Sequence, residues 1–425
     1  MHVFRKSVPL SLLAGAAALM AASAAHAGEA TLDTAACLAR LRPGAPANGV
    51  QLAEFDTYTQ GAALLPSTVA SAQAQPEGKE TWWDYIAKTV DDERVAAGRE
   101  LMAGQQQALA EIAARYEVDG EVMVAIFGIE TNYGRQLGKT RVLDAWLTRA
   151  CTENKPLWIK NAYASIRLLR DGAVDPGTFV GSWSGAFGMT QFIPTSFYEL
   201  AADGDGDGRI DLYGSLPDAL ASTASHLRKR RARWTRGTLP VVEVQVPAAL
   251  AASLPPLDEY AGSERRTLAD WEARGVKRAG SGAPLAGTGS PGMPAYLFAP
   301  TGARGPVFLA TGNFDAILSY NSSRKYALAV SLLIDRLRGE PGLATPWPTD
   351  DPGLSRAEVR ELQALLLARG YDIGTPDGIP GGKTRAAVAS EQQRAGLATD
   401  GRVGRRMLEL LRQDPVPRHD AGQGG

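Results

Sequence analysis

The fold is decided by the stretch Glu121-Val122-Met123-Val124-Ala125-Ile126-Phe127-Gly128-Ile129-Glu130-Thr131-Asn132-Tyr133-Gly134. Its apolar residues predict a helix from Glu121 to Glu130, which Asn132 and Gly134 terminate. Glu130 would then stand beside apolar surface at the negative end of the helix dipole, and both effects disfavour its ionised form. A Glu at a helix end is more often a solvated surface residue, so this position alone leaves the role of Glu130 open.

Helical patterns dominate the chain around this stretch. Apolar residues recur at helical spacing in the segments Asp91 to Tyr116, Pro156 to Leu169, Pro217 to Arg233 and Tyr326 to Arg338. Short strands are expected at Pro240 to Val246 and Ala295 to Phe298, and a loop rich in Gly, Pro and Ser at Gly275 to Pro294. These patterns predict an α+β fold that is mostly helical.

The amino terminus has the pattern of a secretory signal peptide over residues 1–27. Arg5 and Lys6 precede an apolar stretch from Val8 to Ala22, and Ala25-His26-Ala27 follows as a small-residue cleavage site. The apolar stretch is too short and too interrupted for a membrane anchor, and no later segment approaches a membrane-spanning run. We expect a mature chain from about Gly28, located in the periplasm and without a membrane span.

The carboxyl-terminal part divides into a linker, a small module and a tail. Residues 339–353 are rich in Pro and Gly and separate a large domain at residues 28–338 from the segment that follows. Residues 354–412 predict three helices, with Ser355 as the cap of the first and Gly370 at its end. Residues 413–425 are expected to be a disordered tail.

Composition narrows the chemistry. The net charge is −1 and 44% of the residues are hydrophobic, so the chain gives no reason to bind nucleic acid. Of the four histidines only His226 lies within the predicted fold, which argues against His-rich metal sites and a Ser-His-Asp triad. The two cysteines, Cys37 and Cys151, have no neighbouring ligand set, and export to an oxidising compartment predicts a disulfide between them.

Acidic residues alternate with glycine in one loop. Its positions one, three, five, six, seven and nine are Asp203, Asp205, Asp207, Gly208, Arg209 and Asp211. This is the spacing with which EF-hand loops wrap carboxylates and the backbone carbonyl of position seven around Ca²⁺, so it predicts a structural calcium site. Gly214 stands at position twelve, where such loops have Glu, and a surface turn without metal is the alternative.

Three sequence motifs resemble those of the membrane-bound lytic murein transglycosylase B family, in the same order as in that family. They are Gly128-Ile129-Glu130-Thr131-Asn132-Tyr133-Gly134, the glycine-rich stretch Gly181 to Ser196 with Gln191-Phe192-Ile193-Pro194-Thr195-Ser196 at its end, and Asn313-Phe314 with Tyr320-Asn321-Ser322-Ser323 and Tyr326 to Val330. The resemblance spans about residues 30 to 338 and implies a lysozyme-like catalytic domain.

By this resemblance Glu130 protonates the linkage between N-acetylmuramic acid and N-acetylglucosamine, and then acts as base on the muramyl 6-hydroxyl to give a 1,6-anhydro sugar. Such an enzyme needs no second catalytic carboxylate, in contrast to a hydrolase with paired acids, and it needs no organic cofactor. The sugar groove that the resemblance implies is lined by Ser182, Gln191, Tyr320, Asn321 and Tyr326. A hydrolytic muramidase and a catalytically inactive wall-binding protein remain alternatives.

The resemblance adds two details. It implies a longer metal loop in which Asp218 supplies the ligand that Gly214 cannot. It also identifies a departure, because His226 takes the place of a tyrosine that the family commonly has near the groove.

The carboxyl-terminal segment resembles the peptidoglycan-binding domain type 1. The matching residues are Leu362-Gln363, Arg369-Gly370-Tyr371, Asp377-Gly378, Thr384 to Val388, Gly396-Leu397 and Asp400-Gly401. Glu391 stands where that domain has an aromatic residue, which leaves the strength of its docking to the wall open. The expected partners are the glycan strands of peptidoglycan, together with proteins of cell-wall synthesis or remodelling.

Overall fold

The computed structural model describes residues 32–74, 80–252 and 264–413, so the predicted signal peptide and the predicted tail beyond Gln413 lie outside the described residues. The helices are α1 (Thr34–Leu41), α2 (Leu52–Tyr58), α3 (Pro66–Ala74), α4 (Trp82–Thr89), α5 (Asp92–Gly104), α6 (Gln106–Tyr116), α7 (Gly120–Thr131), α8 (Val142–Thr152), α9 (Pro156–Arg170), α10 (Pro194–Leu200), α11 (Leu216–Lys229), α12 (Ala248–Ala252), α13 (Leu268–Ala273), α14 (Gly312–Tyr320), α15 (Arg324–Arg338), α16 (Arg356–Ala368), α17 (Gly382–Arg394) and α18 (Arg405–Gln413). The strands are β1 (Thr140–Arg141), β2 (Val180–Gly181), β3 (Val241–Gln245), β4 (Arg266–Thr267), β5 (Lys277–Arg278), β6 (Pro294–Phe298), β7 (Pro300–Ala303) and β8 (Val307–Thr311). The predicted α+β, mostly helical fold is confirmed. Within the described ranges, each helix is too short or too polar to span a bilayer.

Five strands form an antiparallel sheet in the order β4-β6-β8-β3-β5. Leu297 of β6 pairs with Leu309 of β8, and Phe298 pairs with Phe308. Because successive side chains point to opposite faces, the two phenylalanines pack against the helices, whereas the two leucines pack against Trp271 of α13. The sheet therefore has an apolar core on each of its faces.

Two apolar cores hold the helices. The first surrounds α7, whose residues from Val122 to Phe127 are buried, and it includes side chains of α5, α6, α11, α14 and α15. The second joins α1, α2, α8, α9 and α10 around Trp146 and Phe187. Tyr320, the last residue of α14, packs against both cores. The end of α14 is thus at the junction of the two helical groups.

A disulfide ties the amino-terminal helix to the second core. The structure joins Cys37 of α1 to Cys151 of α8, with 5.8 Å between their Cα atoms. The two residues are 114 positions apart in the sequence, so the bond closes a loop that contains the whole of α7.

Some predicted elements differ in extent. The segment from Asp91 to Tyr116 forms two helices, because Gln105 adopts non-helical angles (φ −119°, ψ 24°) after Gly104. Helix α11 ends at Lys229 and not at Arg233, since Trp234 turns back into the core and its indole donates to Asp119 at 2.7 Å. The predicted loop from Gly275 to Pro294 contains the edge strand β5.

The carboxyl-terminal module consists of α16, α17 and α18, which confirms the predicted three-helix module. The three helices pack around Leu362, Val388 and Leu408, all fully buried. Ser355 caps α16 as predicted, since its hydroxyl accepts a hydrogen bond from the Glu358 amide while the Glu358 carboxylate accepts one from the Ser355 amide.

Candidate active site

The helix that carries Glu130 ends in an unusual turn. Asn132, Tyr133 and Gly134 all have left-handed backbone angles, with φ of 50°, 58° and 81°. The Tyr133 ring packs edge-on against Phe127, and its hydroxyl donates to the Arg94 carbonyl at 2.9 Å. This turn ends α7 at Thr131 and leaves the preceding Glu130 half-buried in the last helical turn.

The glycine-rich loop from Gly181 to Ile193 is attached to that helix end. The Thr131 hydroxyl, next to Glu130 in the chain, donates to the Met189 carbonyl at 2.6 Å. One residue further along the loop, the Thr190 carbonyl accepts a hydrogen bond from the Tyr320 hydroxyl. The loop is therefore held beside Glu130 by two elements that are remote in sequence.

Gln191 follows directly after these two attachment points. Its backbone has a φ of 53°, which a residue other than glycine adopts only where its surroundings hold it there. Its side-chain amide donates to the Gly188 carbonyl at 3.0 Å and to the Leu137 carbonyl at 3.4 Å. The predicted groove residue thus lies beside the Glu130 helix end, with its amide fixed by the loop itself.

Ser182 begins the same loop and shapes it. Its hydroxyl lies 2.9 Å from that of Ser184 and accepts a hydrogen bond from the Ala186 amide at 3.2 Å. The turn needs glycine at Gly185, because a Cβ there would lie 2.4 Å from the buried indole nitrogen of Trp146. Ser182 therefore has a structural role in the loop.

Two tyrosine hydroxyls face Glu130 from the junction of α14 and α15. Burial and then the negative charge of Glu130 raise the pKa of Tyr320 above its usual value. Burial, followed by the charge of Glu130, also raises the pKa of Tyr326 well above its usual value. The Tyr326 hydroxyl is directed at the Glu130 carboxylate without reaching full hydrogen-bond geometry. Both phenols stay protonated at neutral pH; the Tyr320 hydroxyl donates to the Thr190 carbonyl, and the Tyr326 hydroxyl is available as a donor to Glu130.

Asn321 lies in the connection between these two tyrosines. Its side-chain oxygen accepts a hydrogen bond from the Ser323 backbone amide at 3.0 Å. The backbone amide of Asn321 donates to the Ile317 carbonyl. Of the five residues predicted for the groove, the structure brings Gln191, Tyr320, Asn321 and Tyr326 to the elements around Glu130. Ser182 lies further back, at the base of the loop.

His226 and Thr131 are the site residues whose contacts the sequence did not predict. The His226 ring is buried 4.6 Å from the ring of Tyr320, and its Nε2 lies 3.2 Å from the Ser319 carbonyl oxygen. Burial lowers the pKa of His226 to about 4, so the ring is neutral at physiological pH. The position was visible in the sequence as a departure, but its contact with Tyr320 is tertiary.

Three of the predicted metal ligands converge. Carboxylate oxygens of Asp203, Asp205 and Asp218 lie within 4.8 Å of one another, a separation that oxygens bound to one Ca²⁺ can have at 2.3–2.6 Å from the ion. Asp218 is buried and accepts hydrogen bonds from the amides of Gly204 and Asp211, both at 2.7 Å. These residues fit a calcium ion, and Asp218 stands where the resemblance implied it.

The other predicted ligands point elsewhere within the loop. Asp207 accepts a hydrogen bond from the Arg209 amide at 2.8 Å, and Asp211 accepts from the amides of Tyr213 and Gly214. Both carboxylates serve the turns of the loop, and neither belongs to the three-carboxylate cluster.

The acidic loop also supports the loop at the active site. The Met189 amide donates to the Leu212 carbonyl at 2.8 Å, and the Tyr213 hydroxyl donates to the Val180 carbonyl at 2.7 Å. The Tyr213 ring stacks on Phe187 at 5.9 Å. The acidic loop therefore contacts the glycine-rich loop, which in turn contacts the end of α7.

In the carboxyl-terminal module, Glu391 is part of the interior. It is 2% exposed, accepts a hydrogen bond from the Tyr371 hydroxyl at 2.8 Å and pairs with Arg394 at 2.7 Å. A charged residue therefore fills the place of the expected aromatic residue by forming a paired, hydrogen-bonded cluster with its neighbours.

Comparisons with known proteins agree with this arrangement. The chain is 29% identical over 267 residues to the membrane-bound lytic murein transglycosylase B of Escherichia coli (strain K12), a match that covers 62% of this chain and 69% of that protein. The crystal structure of SltB3 from Pseudomonas aeruginosa in complex with NAG-anhNAM-pentapeptide superposes with a TM-score of 0.67 at 39% identity, covering 88% of this chain and 98% of that chain. The Escherichia coli lytic transglycosylase SLT35 in complex with calcium superposes with a TM-score of 0.59 at 25% identity, covering 71% and 92%.

The large domain and the carboxyl-terminal module each match a protein family. Residues 355–411 match the putative peptidoglycan binding domain. Residues 33–335 match the transglycosylase SLT domain, which confirms the predicted lysozyme-like transglycosylase fold. The chain therefore belongs to the lytic transglycosylases of the transglycosylase SLT domain family.

Proposed function

We propose that the protein cleaves the β-1,4 bond between N-acetylmuramic acid and N-acetylglucosamine in peptidoglycan without consuming water, leaving 1,6-anhydro-N-acetylmuramic acid ends. The observation that carries this proposal is the position of Glu130, half-buried at the end of an apolar helix with the hydroxyls of Tyr320 and Tyr326 close enough to respond to its charge. A carboxyl group in such surroundings suits proton transfer to and from a sugar oxygen.

In the proposed reaction Glu130 first donates its proton to the glycosidic oxygen. The bond between that oxygen and C1 of N-acetylmuramic acid breaks, and N-acetylglucosamine leaves with the oxygen as its hydroxyl group. The resulting carboxylate then takes the proton of the muramyl 6-hydroxyl while that oxygen bonds to C1, which closes the anhydro ring and restores the acid. Because burial keeps the Tyr326 hydroxyl protonated, it can donate to the carboxylate between the two steps. One acid is enough, since no water has to be activated.

Gln191 and Asn321 are the residues we assign to the sugar chain. Gln191 is presented by a loop that is bound on one side to Thr131 and on the other to Tyr320, so its position relative to Glu130 is fixed. The side-chain NH2 group of Gln191 donates within the protein and the side-chain oxygen of Asn321 accepts from Ser323, so we assign the Gln191 oxygen as an acceptor and the Asn321 NH2 group as a donor for the hydroxyl and acetamido groups of the substrate. SltB3, the relative bound to NAG-anhNAM-pentapeptide, supports a peptidoglycan fragment as the ligand.

We further propose that Asp203, Asp205 and Asp218 hold a structural Ca²⁺, with the backbone carbonyl of Arg209, at position seven of the loop, as a further ligand. The calcium complex of SLT35 supports the choice of ion. A bound ion would offset the repulsion between the three carboxylates and stiffen the loop that contacts Met189 through Leu212.

The reaction is proposed to take place in the periplasm. The disulfide between Cys37 and Cys151 needs an oxidising compartment, and the pattern of residues 1–27 supports export. The carboxyl-terminal module would keep the enzyme at the wall, where proteins of cell-wall synthesis or remodelling are the expected partners.

Product analysis after digestion of purified peptidoglycan tests the proposal. Wild-type protein should release muropeptides with anhydro ends, and Glu130→Gln should lower that rate at least about 100-fold, the scale of general acid–base catalysis. Glu111→Gln, on the exposed side of α6, is the matched control and should keep the rate within about twofold. Reducing ends in the product would identify a hydrolytic muramidase, and no product from wild-type protein would identify an inactive wall-binding protein.

A further inference from the structure

Arg356, in the carboxyl-terminal module, contacts the end of α7, the helix that carries Glu130. The guanidinium of Arg356, the first residue of α16, donates to the side-chain oxygen of Asn132 at 2.8 Å. Its other nitrogens form a fork with the carboxylate of Asp91, at 2.5 and 2.9 Å. Asn132 is the residue that ends α7, two positions after Glu130.

The ion pair between Arg356 and Asp91 is more buried than two neighbouring bridges between the module and the large domain, those of Arg360 with Glu93 and of Arg402 with Asp84. The Asp91 side chain is 2% exposed and that of Arg356 is 14% exposed. Arg360, one turn further along α16, pairs with Glu93, and the two side chains are 35% and 48% exposed. A buried fork fixes the geometry of its partners more closely than an exposed pair does.

A second route leads from Arg356 to the same helix end. Asp91 accepts a hydrogen bond from the Arg94 amide at 2.8 Å, and the Arg94 carbonyl accepts one from the Tyr133 hydroxyl at 2.9 Å. Both routes therefore reach the left-handed turn formed by Asn132, Tyr133 and Gly134.

That turn depends on contacts from outside the helix. Asn is common in the left-handed region at a helix end, but an aromatic residue such as Tyr133 is rare there and persists only where its surroundings hold it. Beside this turn a cavity of about 1090 Å³ lies between the module and the large domain, and its walls include Ile129, Asn132 and Arg356. Arg356 crosses from one wall to the other at the point where α7 ends.

We propose that Arg356 is a positioning residue for the catalytic helix, so that the carboxyl-terminal module contributes to turnover as well as to wall binding. The inference rests on the proposed function of Glu130. Loss of the fork frees Asn132 and Asp91 together, the end of α7 relaxes, and the Glu130 carboxyl leaves its position opposite the glycosidic oxygen. The chemical step then slows while binding of the sugars along the loop at Gln191 persists.

The test measures kcat and KM of the full chain on a soluble, uncross-linked peptidoglycan tetrasaccharide. Arg356→Ala should lower kcat at least tenfold with KM changed less than twofold. Arg356→Lys, which keeps the charge but not the fork, should recover part of the loss. Arg360→Ala is the matched control and should keep kcat within twofold.

Asn132→Gly provides an independent variant, because glycine keeps the left-handed backbone and removes only the side-chain acceptor. It should lower kcat in the same way, and the double variant with Arg356→Ala should be no slower than the slower single variant. If Arg356→Ala does not fold, Asn132→Gly and Arg356→Lys are judged by the same criterion.

Three results would overturn the inference: an unchanged kcat in Arg356→Ala, a loss confined to KM, or losses that multiply in the double variant. In each of these cases wild-type protein still forms anhydro product, so the proposed function stands. Absence of anhydro product from wild-type protein would instead overturn both.

Discussion

We expect the buried His226, which lies against Tyr320, to make the free energy of unfolding depend on pH, and the variant His226→Gln tests this. Among the described residues His226 is the single histidine; it lies inside α11, 7% exposed, against Tyr320. Burial, with a smaller effect from Arg230, lowers its pKa from 6.5 to about 4. The folded protein therefore keeps the ring neutral at pH values where the unfolded chain already binds a proton.

The sign and size of the effect follow from this difference. Between pH 6.5 and pH 4 the unfolded state holds more protons, so the free energy of unfolding falls as the pH is lowered through this window. One pKa unit corresponds to about 1.4 kcal/mol, so we expect a loss of about 1.4 kcal/mol at pH 5.5 and about 3 kcal/mol at pH 4. Above pH 6.5 the histidine makes no pH-dependent contribution.

Denaturant unfolding at pH 7.5, 5.5 and 4.5 measures the effect in wild-type protein and in His226→Gln. The difference between the two profiles is the informative quantity, because other groups titrate in the same range in both proteins. Burial raises the pKa of Asp335 to about 7, for example, which gives a slope of opposite sign between pH 3.8 and pH 7. Parallel profiles for the two proteins would refute a neutral, buried His226.

Two further predictions concern the acidic loop and the disulfide. Ca²⁺ at 100 times its dissociation constant should stabilise chelator-treated protein by about 2.7 kcal/mol. The variant Asp205→Asn should reduce this increment more than Asp207→Asn, because the Asp207 carboxylate lies outside the cluster. Equal melting temperatures with and without Ca²⁺ would contradict the site. The double substitution Cys37→Ser and Cys151→Ser should lower the free energy of unfolding by up to about 5 kcal/mol, since the bond closes a loop of 114 positions. Two free thiols in unfolded, unreduced periplasmic protein would contradict the bond.

Local patterns in the sequence predicted the helix that carries Glu130 well. The apolar run that precedes Glu130 is buried from Val122 to Phe127, and the predicted stop at Asn132 is where the helix ends. Periodicity and terminators act over one or two turns, so they are visible in the sequence. The break at Gln105 was missed for the converse reason, because a single Gly104 inside a helical pattern is usually tolerated.

The contacts that assemble the site could not be predicted in this way. Arg356 and Asn132 are 224 positions apart, and Tyr320 and Thr190 are 130 positions apart. Neither pair has a spacing rule, since each depends on how two finished elements pack. The carboxylates of the acidic loop show the same limit, because the spacing predicted Asp203, Asp205, Asp207 and Asp211 as ligands, whereas the cluster in the structure consists of Asp203, Asp205 and Asp218.

Met189 shows how the acidic loop can affect a reaction to which it contributes no group. Its amide donates to Leu212, inside the acidic loop, and its carbonyl accepts from Thr131, next to Glu130. One peptide segment is therefore held from both sides, and Gln191 follows it two residues later. Because Gly188 faces Leu212 so closely that a Cβ would lie 2.7 Å from its side chain, the loop has little room to shift independently. We therefore expect movement of the acidic loop to reach Gln191 and Thr131 together through Met189, while the buried residues from Val122 to Phe127 hold the rest of α7 in place.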